Sequence, residues 1–519
     1  MDRGRRNVLL GAAGITALAL VLRLPYAHFP VLNLDETIYA VIAREILRGG
    51  VPYRDVWEIK PPLVFYLYAL VFWVFGEISL APVHVLGAIV AALTALVAAD
   101  IARKERGNVA GLLAGLGMAA YSTAAAIVDV QSAETELFLL FPLLLSVRIF
   151  LRLNPDKAYR DLFLSGFFVG AAGMFKQPAA GSAILMAVWI LVYPPLRRRR
   201  IPSVAVFVAG AALLPVLFVL YFSSKGALWD FFNLTVINNF SYMRERGRGD
   251  MLEIIVVSVW KHFYPNSVLW LSGFGLALCN IISSVRNRGK SPAGSPALFL
   301  SWFLIVCAAG AFAGVYFNGH YYLLMAPGLV ILWSLAAVEL WSRFDRRAYR
   351  AVLAALLVTG VAYPLYFFHI GIRDWFTMRQ VVYQGEVFPR IGEVVRSKTR
   401  PEDRIFVWGL NPEIYFFAQR RPASRFIYNT FQLGLVANAP AEYQSDSSLY
   451  SMPESWDLLM KDLESNMPPL IVDASQFFNI TRKYPLENEP RLQPWLNVNY
   501  ILKYRIDKYL IYARRDYAG

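Results

Sequence analysis

Charge is scarce in this chain. Only 17% of its 519 residues are Asp, Glu, Lys or Arg, against about a quarter in an average soluble domain, which argues against a soluble globular enzyme. Cysteine is almost missing: Cys279 and Cys307 both lie inside apolar runs, so neither a disulfide framework nor a cysteine zinc site can be built from them. They read as small buried hydrophobes. No internal repeat and no low-complexity tract interrupts the chain. What is plentiful is apolar: 57% of the residues are hydrophobic and 15% aromatic, which excludes disorder. The net charge of +14 arises from 51 basic and 37 acidic residues. The basic ones sit in short clusters between apolar runs rather than along one face, which is a topology signal and not the footprint of a nucleic-acid partner.

A run near twenty apolar residues crosses the roughly 30 Å hydrocarbon core. The first candidate, 8–22, follows Arg3, Arg5 and Arg6. Arg23-Leu24-Pro25-Tyr26 stands where a signal peptide would carry a small-residue cleavage site, so a retained anchor is expected. Further runs lie near 81–101, 108–128, 133–151, 161–175, 178–194, 202–222, 265–284, 297–316, 320–341 and 350–368, which makes about eleven spans. Segment 61–75 is apolar too, but short and opened by two prolines. If it does not cross, Arg103/Lys104/Arg106, Arg152/Lys157/Arg160, Arg197–Arg200, Arg286/Arg288/Lys290 and Arg343/Arg346/Arg347/Arg350 all share the side of the basic N-terminus. The positive-inside bias selects that arrangement: a cytoplasmic N-terminus and a long external loop over 25–80.

In that loop Ile38, Val41, Ile42 and Ile46 share one face of a helix that starts near Asp35 and is closed by Gly49-Gly50. Phe65, Tyr66, Tyr68, Phe72 and Trp73 form a second helix ending at Gly76; both suit the membrane interface. Beyond 373 the composition turns polar. Short buried strands are expected at 404–408 and 469–473, and a strand pair over 500–512 around Arg505-Ile506-Asp507-Lys508. The expected fold is a polytopic α-helical membrane protein (1–373) with two interfacial helices in its first external loop, followed by an extracytoplasmic α/β domain (374–519).

Charged groups at membrane depth are costly and point to function. Here they gather at the external ends of spans: Asp35, Glu36 and Lys60; Asp129, Glu134 and Glu136; Lys176-Gln177; Arg244, Glu245, Arg246 and Arg248; and His320-Tyr321. Carboxylates and cations on one rim suit a site that activates a hydroxyl and holds a phosphate. Plainer roles fit the same residues one by one. Asp35 suits a helix cap, Glu36, Asp129 and Glu134 suit a helix dipole, and Lys60 and Lys176 suit snorkelling flanks. His320 fits an interfacial histidine, and the arginine loop a solvated surface. Asp35-Glu36 is not an Asp-x-Asp, and neighbouring side chains on a helix diverge, so no metal or other cofactor is expected.

The order Asp35-Glu36, Tyr39-Ala40, Gly49, Pro52-Tyr53, Lys60-Pro61-Pro62 and Phe75-Gly76 resembles the first external loop of the GT-C glycosyltransferases. The branch it is most similar to contains protein O-mannosyltransferases and the aminoarabinose transferases that modify lipid A. Phe175-Lys176-Gln177-Pro178 and His320-Tyr321-Tyr322 through Pro327 extend the likeness. The resemblance implies inverting transfer of a sugar from a polyprenyl-phosphate donor, at the external face, to a glycolipid, a lipid-linked glycan or a protein. It implies Asp35 of the Asp-Glu pair as catalytic carboxylate, with Glu36 beside it. Lys60 would stabilise the departing lipid phosphate, with Lys176 a further contact; Arg244 and Arg246 join them as phosphate-binding candidates from the external charge set alone. Asp129 and Glu134 would form a second acidic site, and His320, Tyr321 and Tyr53 would contact substrate. Some relatives with pyrophosphate donors need a divalent cation; none is expected here.

Two other classes compete. A polysaccharide polymerase or ligase would draw on a lipid-pyrophosphate donor. A transporter or flippase would place ionisable groups and broken helices near mid-bilayer and often carry repeats, neither of which is seen. The expected location is the inner membrane of a prokaryote.

Overall fold

The computed structural model describes residues 3–124, 130–154, 157–239, 262–286, 295–313, 319–343, 387–435, 451–478 and 480–517, with isolated residues of 256–260 and 347–366 besides. Most of the last expected span, 350–368, and all of the arginine loop with Arg244 and Arg246, together with Asp129, lie outside these.

The membrane part opens with α1 (Arg3–Arg23), α2 (Leu34–Leu47) and α3 (Leu63–Phe75). Next come α4 (Ala81–Ala124), α5 (Thr135–Leu151), α6 (Ala158–Phe175), α7 (Ala180–Val192), α8 (Arg200–Ser224) and α9 (Leu228–Phe232). It continues as α10 (Ser267–Arg286), α11 (Pro296–Ala313) and α12 (Ala326–Arg343). Six helical stretches among the described residues are long and apolar enough to cross a membrane, so the chain is a polytopic membrane protein. One of them, α4, is two helices in succession: Arg106 (φ −141°) and Gly107 (φ +83°) leave helical geometry, and the left-handed φ is one that glycine adopts without strain. The break falls between the spans expected at 81–101 and 108–128.

Small residues let the helices approach closely, as lipid-embedded bundles require. A Cβ added to Gly166 of α6 would stand 2.1 Å from the Phe207 carbonyl oxygen of α8, and one on Gly210 of α8 would stand 2.1 Å from that of Phe163. At one end of the bundle Asp100 of α4 pairs with Arg103, with Arg148 of α5 and with Arg152 beyond it, while Glu339 of α12 pairs with Arg106 and Arg343. Basic clusters from separate turns therefore share that end, as the charge pattern requires. The acidic and basic residues of the first loop gather at the other.

Two short helices occupy that first loop. α2 is capped by Asn33, not by Asp35: the Asn33 side chain accepts from the Asp35 amide, and Glu36 closes a capping box back onto the Asn33 amide. Gly49 (φ +83°) stops it, and the Gly50 amide donates to the Glu45 carbonyl at 2.8 Å. A Cβ on Gly50 would come within 2.9 Å of that same oxygen.

In the C-terminal segment β1 (Arg404–Trp408), β2 (Arg421–Pro422), β3 (Leu470–Asp473), β4 (Tyr500–Ile506) and β5 (Tyr509–Arg514) form one sheet in the order β2-β1-β3-β5-β4. β1 lies parallel to both β2 and β3, β3 is antiparallel to β5, and β4 and β5 form a hairpin whose turn carries Asp507 at φ +52°. This segment docks on the first loop. Arg421 holds Glu45 of α2 at 2.5 Å, Arg44 donates to the Phe416 carbonyl at 2.9 Å, and Trp57 packs edge-on against Phe426 and Phe431.

Candidate active site

The second position of α2 aims Asp35 away from the helix body, and the loop between α2 and α3 returns Lys60 to it. The Lys60 ammonium pairs with Asp35 Oδ2, with side chains 19% and 23% exposed: buried enough to matter, open enough to be reached. Beneath them Tyr39, one helical turn after Asp35, is fully buried. Its hydroxyl donates to Glu134 Oε2 at 3.0 Å and reaches Asp35 Oδ2 at 3.5 Å, and its ring lies 4.9 Å from Lys60 Nζ. Tyr39 thereby joins the first loop to the start of α5.

Glu134 and Glu136 flank the first residue of α5, and there a second ion pair forms. Lys176 ends α6 with extended backbone (φ −156°, ψ 133°) ahead of Gln177-Pro178, which turns its side chain inward. Its ammonium pairs with Glu136 Oε1 and stands 3.6 Å from the centre of the Tyr321 ring. His320 Nε2, in the short 3₁₀ helix Gly319–Met325 before α12, lies 3.6 Å from that same Glu136 oxygen. Asp35, Lys60, Glu134, Lys176, His320 and Tyr321 thus meet in one polar cluster, drawn from residues 285 or so positions apart in the chain.

Burial alone would lower the Lys60 pKa, but Asp35 first and Glu58 next outweigh it and hold the ammonium protonated well above the ordinary lysine range. Glu58 itself is raised, chiefly by burial and in part by the charge of Asp35.

Two expected members play other parts. Glu36 has no exposed surface. Its carboxylate accepts from the amides of Leu32 (2.8 Å), Asn33 (3.4 Å) and Ala133 (2.7 Å), and sits 3.0 Å from His84 Nε2. Burial pushes its pKa up, yet His84 and the backbone amides pull it below the usual value. With both oxygens engaged it fastens α2 to α4 and to the loop before α5, a structural setting where a catalytic partner of Asp35 was expected. Tyr53, likewise, touches no open space. It is fully buried with φ +71°, and its hydroxyl donates to the Lys60 carbonyl at 2.8 Å, so what it touches is the backbone that carries Lys60.

Sequence reasoning passed over Tyr39 as a site residue, and Glu58 and Tyr428 altogether. Tyr39 was legible as the residue one turn after Asp35. Glu58, two residues before Lys60, carried a weaker hint; Tyr428 carried none. Among the described residues, Glu134, Glu136 and His320 offer ligand atoms within 4.8 Å of one another and could hold a metal ion, although the Lys176 ammonium already occupies one of their oxygens.

A family model described as dolichyl-phosphate-mannose-protein mannosyltransferase matches residues 59–222. No curated protein matches the chain by sequence. Among solved structures, ArnT from Cupriavidus metallidurans bound to undecaprenyl phosphate is similar over 99% of this chain and 99% of its own, at 15% identity and a TM-score of 0.63. The Archaeoglobus fulgidus oligosaccharyltransferase AglB, in complex with an inhibitory peptide and a dolichol-phosphate, is similar over 99% of this chain and 74% of its own, at 12% identity and a TM-score of 0.56.

Proposed function

We propose that this chain, which has the GT-C superfamily fold in its ArnT-like and protein-mannosyltransferase-like form, is an integral-membrane inverting glycosyltransferase that uses a polyprenyl-phosphate sugar. The observation that carries the reading is the half-buried Asp35–Lys60 pair set over the second pair, Glu136–Lys176. The donor's leaving group is a phosphodiester that becomes a dianion as the sugar departs, and fixed ammonium groups beside that charge lower the barrier. Without a donor, Lys60 neutralises Asp35. A bound lipid phosphate competes for the ammonium and frees the Asp35 carboxylate to take the proton from an acceptor hydroxyl. Attack from the face opposite the leaving phosphate inverts the anomeric carbon. The acceptor is a glycolipid, a lipid-linked glycan or a protein at the extracytoplasmic face, and the membrane is a prokaryotic inner membrane.

The test is donor chemistry. Purified protein is incubated with undecaprenyl-phosphate-linked hexoses and pentoses, and separately with the same sugars on undecaprenyl pyrophosphate. Release of undecaprenyl phosphate from the first set supports the proposal. Turnover of the pyrophosphate series alone moves the protein to a polymerase or ligase, and lipid translocation without bond cleavage moves it to a flippase.

A further inference from the structure

The loop that delivers Lys60 is held from three directions. Asn239 Nδ2 donates to the Ile59 carbonyl at 2.8 Å, and Tyr53 donates to the Lys60 carbonyl at 2.8 Å. Pro61 restricts the backbone of the lysine before it. The third hydrogen-bonding partner is a carboxylate. Glu58 is 2% exposed; its Oε1 accepts from the amides of Ile59 (3.0 Å) and Lys60 (3.3 Å), and its Oε2 accepts from the Tyr428 hydroxyl at 2.8 Å. Tyr428 comes from the far end of the chain. Beside this contact the Trp57 amide donates to the Arg425 carbonyl at 2.8 Å, and Arg425 is in turn clamped on Asp462 at 3.0 Å.

We infer that Glu58 is a positioning residue for Lys60 and that Tyr428, supplied by the C-terminal segment, holds Glu58 in place, so that this segment completes the phosphate-binding side of the active site. This rests on the role proposed for Lys60. A carboxylate engaged by two backbone amides and a phenol acts through what it orients. Glu58 anchors the Lys60 amide, and its charge faces the ammonium. Burying a carboxylate is costly unless its lone pairs are met, and here a phenol from 370 positions away meets one. Loss of that phenol frees Glu58 to turn, and the lysine then loses its fixed approach to phosphate.

The experiment measures binding of undecaprenyl phosphate, with uncharged undecaprenol as control, to the full chain in detergent. Lys60→Ala should weaken undecaprenyl phosphate roughly 10- to 100-fold and undecaprenol by less than about twofold, as loss of one charge-assisted hydrogen bond requires. Tyr428→Phe and Glu58→Gln should each weaken the phosphate about 3- to 10-fold with undecaprenol unchanged, and neither should add to Lys60→Ala. Glu58→Ala should lose more than Glu58→Gln, which keeps an oxygen for the two amides. Equal losses for both lipids, or losses that multiply with Lys60→Ala, would overturn the inference and leave a merely structural contact. If Lys60→Ala itself binds undecaprenyl phosphate normally, the role proposed for Lys60 fails first, and this inference with it.

Discussion

Asp35→Asn replaces one carboxylate oxygen by an amide and leaves the shape of the side chain unchanged. Three groups feel the change: the Lys60 ammonium, the Tyr39 hydroxyl and, through Tyr39, Glu134. The effect on folding should be small. The pair is about one-fifth exposed on each side, and Lys60 keeps the charges of Glu58 and Glu134 nearby. The variant therefore does not strand a bare cation, and a cost of about 1 kcal/mol is expected, closer to a surface pair than to a broken buried one. Helix capping is untouched, since Asn33 provides it. Chemistry should suffer far more. Removing a positioned general base typically costs about 10²- to 10⁴-fold in rate, or about 3–5 kcal/mol of barrier. Wild type and variant are purified in the same detergent, their melting temperatures compared, and release of undecaprenyl phosphate followed from the undecaprenyl-phosphate sugar that the wild type turns over. A melting temperature within a few degrees together with a rate at least 100-fold down is the expected result. A variant that keeps more than about a tenth of the wild-type rate would refute the assignment, because an amide cannot take the acceptor's proton.

Lys60→Arg should retain more turnover than Lys60→Ala, because a charge survives at the phosphate although its geometry changes; equal losses would speak against phosphate contact. Glu36→Gln should lower stability at neutral pH by about 2–3 kcal/mol through the weakened His84 and amide contacts, with little change in the turnover of what remains folded. Since the folded state holds the Glu36 pKa below its ordinary value, that stabilisation is complete above about pH 4.3 and fades as the pH falls through the folded value. The difference in melting temperature between wild type and Glu36→Gln should therefore shrink on acidification, and one that stays constant down to pH 3 would count against it. Glu413 has the opposite sign. Burial pushes its pKa up to about 8, so the folded state keeps a proton that the unfolded chain has already lost, and stability declines as the pH rises from about 4.3 toward that value. Glu413→Gln should melt higher than wild type at pH 8.5 and close to it at pH 5; a gain that does not vary with pH would contradict this.

Much of this molecule is legible along one dimension. Apolar runs of membrane length and the basic clusters between them depend on local composition, and the structure brings Arg103, Arg148, Arg152 and Arg343 to one end of the bundle with Asp100 and Glu339. The limits of β1 follow from a short buried run, and the stop of α2 from Gly49, because strand burial and left-handed turns are settled within a few residues. The meeting of Asp35 with Lys60 was within reach too, since both stand in one loop of modest length. Which of two adjacent acids faces the open side of α2 was not. Asp35 and Glu36 differ by about 100° around the helix, and only the packing of α4 and its His84 against one of those directions turned Glu36 into a fastener. The contacts of Tyr39 with Glu134 and of Tyr428 with Glu58 join residues 95 and 370 positions apart. A polar pairing over such distances depends on how whole helices and a sheet come to rest on one another, and local pattern carries no record of that.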